Sequence, residues 1–193
     1  MTRQIKKKKH TALKIFIAIL FIAFFTIAGI LGYDYYIRET HPIKYENYVE
    51  RYARENNIDK VMVYAVIKTE SGFDSGAVSN VGARGLMQIM EETFDWIKYR
   101  LDDEDTEYID MFEPKTNIKY GSYLLGYLNS EFEDDDAVFA AYHAGVGNVS
   151  EWLDDPRYSS DGVHLDEIPI SATKHYVSKI NKTIETYKKL YDL

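Results

Sequence analysis

The 193-residue chain contains no cysteine. That excludes disulfides and cysteine-ligated zinc, and leaves the redox compartment open. No acidic residue precedes Asp34, and no charge of either sign lies between positions 15 and 33. The five histidines, His10, His41, His143, His164 and His175, fall in no zinc-ligand spacing. There is no phosphate-binding loop, no internal repeat, and no low-complexity tract beyond the N-terminal lysines. Neither a metal nor a cofactor is therefore expected.

What is present is sharply divided. Arg3, Lys6, Lys7, Lys8, Lys9 and Lys14 are the only strong charges before Asp34. All 31 acids follow, against 17 Lys and Arg, so the remainder carries a net charge of −14. A domain so acidic is a poor partner for nucleic acid. The 17 tyrosines suit a carbohydrate groove, and also serve as ordinary core material.

Residues 15–31 read IFIAILFIAFFTIAGIL, an uncharged run extended by Gly32 and Tyr33. A membrane-spanning helix needs roughly 17–25 mostly apolar residues. Basic residues ahead of the run place the N-terminus in the cytoplasm, and Tyr33, Tyr35 and Tyr36 suit an interfacial belt. The alternative is a cleaved signal peptide, but the run exceeds a usual signal core and no A-x-A-like site follows. Either reading puts the rest of the chain outside the cytoplasm. The division is a cytoplasmic basic segment (1–14), a transmembrane anchor (15–33), a spacer (34–42) and an outer domain (43–193).

The outer domain reads as all-α, with seven or eight helices. Tyr45, Tyr48, Val49, Tyr52 and Ala53 recur at helical spacing. Asp59 is placed to cap VMVYAVIKTE, which is apolar almost all round and so belongs in the middle of the domain. The acid-rich residues 101–110 read as an exposed loop. Pro114 suits the first turn of a helix over 115–132. Further helices are predicted over 137–143, 148–153 and 171–191, with Gly145 and Gly147 breaking the chain between the first two.

The segment KTESGFDSGAVSNVGARGLMQIM, residues 68–90, brings a carboxylate to the end of an apolar helix; a surface glutamate at a fraying end is the alternative, and the pattern alone names no reaction. Glu70 continues the stripe of Val63, Val66 and Ile67, so it faces inward at the helix end. Desolvation and the negative helix terminus both disfavour its ionised form, which suits a general acid near neutral pH. Gly72, Gly76, Gly82 and Gly85 indicate a tight loop returning to that helix end.

These residues resemble the signature of the soluble (SLT) type of lytic transglycosylase, roughly E-S-x-F-x-x-x-A-x-S-x-x-G-A-x-G-L-M-Q-I-M. Three further blocks agree in order: FEPKTNIKYGSYLLGYL, AVFAAYHAGVGNVSEW and EIPISATKHYV. The resemblance implies a lysozyme-like, goose-type helical domain behind the single N-terminal transmembrane helix. It implies peptidoglycan glycan strands as substrate, cut between N-acetylmuramic acid and N-acetylglucosamine to leave 1,6-anhydro ends. Glu70 matches the family's single acid and base. Ser79, Met87, Gln88, Tyr142, His143 and Tyr176 would contact substrate or wall the pocket.

Three positions depart from the family pattern. His143 replaces an Asn and brings a titratable ring. Glu91 replaces a Pro, and Ala172 replaces a Glu. Two other functions compete: a hydrolytic muramidase, which would want a second carboxylate, and a non-catalytic glycan-binding module of a secretion or conjugation apparatus.

Overall fold

The computed structural model describes residues 2–191, with side chains for all of these except 2–13 and 15. Arg3 and Lys6–Lys9 thus lie outside the described side chains. The chain divides into two units, Met1–Pro42 and Ile43–Leu193.

The first unit is one helix, α1 (Thr2–Thr40). Its part from Phe16 to Thr40 spans 25 residues, and within it an 18-residue window has a mean hydropathy of 2.4 with none of its residues buried in protein. At 1.5 Å per residue that is about 37 Å, long enough to cross a bilayer core of about 30 Å. Residues 34–40, a spacer by sequence, continue this helix. Arg38 pairs with Asp34 at 2.9 Å one turn away, and the Thr40 hydroxyl bonds back to the Tyr36 and Ile37 carbonyls. No glycine or proline lies between Gly32 and Pro42, and the Pro42 ring disfavours helix at the preceding residue.

The second unit contains α2 (Glu46–Glu55), α3 (Lys60–Glu70), α4 (Glu91–Arg100), a 3-10 turn (Tyr108–Phe112), α5 (Pro114–Glu131), α6 (Asp135–Ala144), α7 (Val146–Leu153) and α8 (Ser171–Tyr191). Among the described residues there are no strands, only isolated bridges that join Arg84 to Val78 and to Ile89. The core forms around α3. Asp59 caps it by accepting from the Val61 amide at 2.9 Å, and every residue from Val61 to Ile67 is buried. Side chains of this size contribute about 1.5–3 kcal/mol each on burial. One side of α3 packs on α8, and α2 and α5 close the other. Tyr64 stacks on Tyr187 of α8 at 5.5 Å between centroids, tying the middle of α3 to the last turns of the chain.

The loop between α3 and α4 is held against α5 by Asn117, which is wholly buried. Its Oδ1 accepts from the Met87 amide at 2.8 Å. Its Nδ2 donates to the Arg84 and Met111 carbonyls, both at 2.9 Å. Gly85 passes over this amide at φ +76, and a Cβ there would lie 2.0 Å from the Met111 carbonyl and 2.4 Å from Asn117 Nδ2.

The acid-rich stretch is less uniformly exposed than its composition suggests. Asp102, Glu104 and Asp105 are exposed, but Asp103 turns inward. It pairs with Lys119 of α5 at 2.9 Å and accepts from the Thr106 amide and hydroxyl. Although burial acts to raise its pKa, those donors prevail and hold it at about 2. Asp103 is thus a fastening for the loop.

Gly85→Ala should destabilise the chain by about 3 kcal/mol or more, because backbone must move. Gly72→Ala, also at positive φ but in open space, should cost only about 1 kcal/mol. Urea denaturation of both variants checks the contrast; equal costs would show that Gly85 serves φ alone.

Candidate active site

Glu70 is the last residue of α3, half-buried, where the helix has run out of partners for its carbonyls. Tyr176 of α8, itself buried, donates its hydroxyl to Oε1 at 2.7 Å. No donor among the described residues reaches Oε2, so a proton on Glu70 belongs on Oε2, with Oε1 accepting from the phenol. Burial pushes the carboxyl above its ordinary value of 4.5, while the Tyr176 hydrogen bond and the nearby Lys179 ammonium pull the other way.

The loop does close back on this helix end. Ser71 donates to the Leu86 carbonyl at 2.8 Å, and the Tyr142 hydroxyl donates to the Met87 carbonyl at 2.8 Å. Tyr142, on α6, lies close enough to Glu70 for the two charges to oppose each other. Burial first, then that carboxylate, drives its phenol well above the usual range, and the same holds for Tyr176. Both remain donors at any ordinary pH.

The structure gathers Glu70, Tyr142, His143 and Tyr176 at one place. His143 is exposed. Its ring lies against Tyr176 at 4.7 Å between centroids, and its Nδ1 is 3.1 Å from the Thr173 hydroxyl. Desolvation lowers its pKa below 6.5, so the ring is mainly neutral at pH 7. The pH dependence expected of it therefore moves into the acid range.

Ser79 and Gln88 face the loop itself. The Ser79 hydroxyl oxygen accepts from the Ala83 amide at 3.0 Å and the Val81 amide at 3.3 Å, tightening the turn. Gln88 sits at φ 50, a conformation that costs about 1 kcal/mol or more away from glycine. Its Nε2 donates to the Gly85 and Ala77 carbonyls at 2.8 and 3.2 Å and holds it there.

Met87 is a correction. Its side chain is fully buried and lies directly beneath Gly121 of α5, so it fills the core instead of walling a groove. Only its carbonyl serves the site, through Tyr142.

A cleft of about 520 Å³ begins at Tyr142 and His143 and runs past Met90, Thr93 and Leu124 to Trp96 and Tyr127. Glu70 is not among its lining residues; Tyr142 and the His143–Tyr176 pair connect them. Trp96 meets Tyr127 edge-on at 4.8 Å, and the Arg100 guanidinium lies 5.6 Å from the Trp96 ring. Sequence reasoning missed Trp96. The available signal was a large aromatic in a short helix opposite the tyrosine-rich α5.

The helical architecture is shared with a solved enzyme. The 70 kDa soluble lytic transglycosylase of Escherichia coli superposes with a TM-score of 0.72 at 28% identity, over 85% of this chain and 27% of that one. The soluble lytic murein transglycosylase of Salmonella typhimurium is 34% identical over 165 residues, covering 80% of this chain and 24% of that protein. The membrane-bound lytic murein transglycosylase C of Shigella sonnei is 26% identical, over 76% of this chain and 47% of that protein. These place the outer unit in the lysozyme-like helical class. The transglycosylase SLT domain model matches residues 47–163, and the chain belongs to that family. It spans about a quarter of the length of the soluble relatives.

Because Glu70 has a raised folded pKa, its own contribution to folding is most favourable below about pH 4.5, where the group is neutral in both states. That contribution is lost as pH rises through the folded value. Glu70→Gln should therefore raise the melting temperature at neutral pH, and the gain should disappear on acidification below 4.5. Thermal melts across that range check it; a variant no more stable at pH 7 would place the carboxylate in water.

Proposed function

We propose that the chain is a membrane-anchored peptidoglycan lytic transglycosylase in which Glu70 acts first as acid and then as base. The observation that carries this reading is a single carboxyl with a raised pKa, fixed on one oxygen by Tyr176 and beside a cleft of sugar-chain dimensions. A glycan strand lies along the cleft, with pyranose faces on Trp96 and Tyr127. The proton on Oε2 passes to the bridging oxygen between N-acetylmuramic acid and N-acetylglucosamine. The substrate's own N-acetyl oxygen stabilises the positive anomeric carbon. Glu70, now ionised, takes the proton of the muramic C6 hydroxyl, whose oxygen closes onto the anomeric carbon. The proton count returns to its start, no water is consumed, and a 1,6-anhydro end remains. Intramolecular attack benefits from high effective concentration.

The remaining roles follow from position. Tyr176 orients Oε1, and Tyr142 sets the loop through the Met87 carbonyl. Ser79 has an O–H proton with no acceptor among the described residues, which suits a bond to the reacting sugar. Gln88 holds the loop in its left-handed turn. The α1 helix anchors the chain with its basic N-terminus in the cytoplasm and the outer unit facing the wall. The membrane-bound relative and the length of the apolar helix support the anchoring, and the basic residues ahead of the helix support the orientation.

A hydrolytic reaction would need a carboxylate to hold water. Asp103 is committed to Lys119, and Glu92 is the acid that lines the cleft. Mass spectrometry of peptidoglycan digested by the full-length, detergent-solubilised chain separates the reactions. Anhydro-muramic ends are expected; reducing muramic ends would make it a muramidase. Glu70→Gln should lose about three powers of ten or more in turnover, since one residue serves both proton transfers. Retained digestion would overturn the assignment. Trp96→Ala should raise KM about tenfold with kcat little changed.

A further inference from the structure

Lys179 stands on the exposed side of α8, three residues beyond Tyr176. Its Nζ donates to the Thr69 carbonyl at 3.1 Å. That carbonyl belongs to the last turn of α3, immediately before Glu70, where helix carbonyls lack intrahelical partners. A cation there satisfies a carbonyl and offsets the negative helix terminus. Here the cation comes from a different helix, 110 residues away in sequence. Among the described residues it forms no direct ion pair with Glu70. The ammonium is held on the backbone, near the carboxyl but off it.

The other titratable groups around the carboxyl come from each element packed there: Lys68 on α3, Tyr142 and His143 on α6, and Tyr176 on α8. The two phenols stay neutral and the imidazole is mainly neutral at pH 7. Lys68 is weakened as a cation by burial and by Lys179 itself. Lys179 is the cation tied by a hydrogen bond to this helix end.

We propose that Lys179 is a positioning residue for Glu70: fixed on the Thr69 carbonyl, its ammonium steadies the end of α3 and supplies the counter-charge for the half of the cycle in which Glu70 is ionised. This rests on the reading of Glu70 as acid and base. A direct ion pair would hold the carboxyl ionised before substrate arrived, whereas no cation at all would leave the carboxylate with the Tyr176 hydrogen bond but no counter-charge after proton transfer. The carbonyl tether provides the intermediate case. Nothing in the E-S…G-L-M-Q-I-M signature carries this role, because Lys179 lies outside all four matching blocks.

The test is a pH–rate profile of the full-length, detergent-solubilised chain on peptidoglycan, for wild type, Lys179→Met, Lys179→Arg and Glu70→Gln. In Lys179→Met the alkaline limb of kcat should move up by roughly half a unit to one unit, because the ionised form of Glu70 has lost support. Plateau kcat should fall about three- to tenfold, with KM unchanged. Lys179→Arg should restore both. Added salt should raise the wild-type limb and leave that of Lys179→Met in place. A wild-type profile in Lys179→Met overturns the proposal, as does a limb displaced equally by Met and Arg. Should Lys179→Met fail to fold, a wild-type limb insensitive to salt overturns it instead. Activity surviving in Glu70→Gln would sink the reading of Glu70 and this proposal with it. An inactive Glu70→Gln beside an unaltered Lys179→Met removes the lysine's role alone.

Discussion

The three hydrogen bonds of the buried Asn117 amide fix the loop ahead of α4, and that loop fixes much of what faces Glu70. Asn117 fastens the Met87 amide, and the Met87 carbonyl then receives Tyr142. The neighbouring Leu86 carbonyl receives Ser71, one residue beyond the acid. A chain of short polar contacts therefore runs from the middle of α5 to the end of α3. The Asn117 contacts with the Met87 amide and the Met111 carbonyl are buried, where an unmade partner costs about 1–3 kcal/mol, and the others are part-buried. This explains why Gly85 admits no side chain: the loop has been drawn onto the amide until backbone touches backbone.

Opposed effects meet on Glu70. Burial of α3 forces the carboxyl toward its neutral form, and the buried position follows from seven consecutive apolar residues that could be satisfied nowhere but the centre of the domain. Two groups of α8 work against burial, one through a hydrogen bond and one through charge. Both lie on the helix that packs most extensively on α3, so the same interface that buries the acid also moderates it. Stability and chemistry are consequently drawn from one contact surface.

Much of this could be read from the residues. The last helix was predicted over 171–191, as observed, because Tyr176, Val177, Ile180 and Tyr187 repeat on one face and lie buried. Asp59 was recognisable as a cap, and Glu70 as an inward acid, since both depend on local spacing. What failed depended on contacts distant in sequence. Met87 reads as a groove residue until Gly121, 34 positions later, is seen to leave room for it. Asp103 reads as solvated until Lys119 supplies a partner. Residues 34–40 read as a spacer because they are polar, yet polar residues paired at i,i+4 extend a helix readily. Trp96 and Lys179 carry no signal of their own; each gains meaning only from the helix opposite.

The way Oε1 is occupied bears on how the site would meet inhibitors. A basic iminosugar that mimics the positive anomeric carbon seeks a carboxylate, but burial here works against the ionised form of Glu70. Wherever the carboxyl is protonated, such a compound must expel the proton from Oε2 to pair with it, so its affinity would rise with pH until the carboxyl ionises freely. An uncharged ligand that accepts a hydrogen bond from Oε2 carries no such penalty, and it would compete best in acid, where charge-based glycosidase inhibitors are weakest.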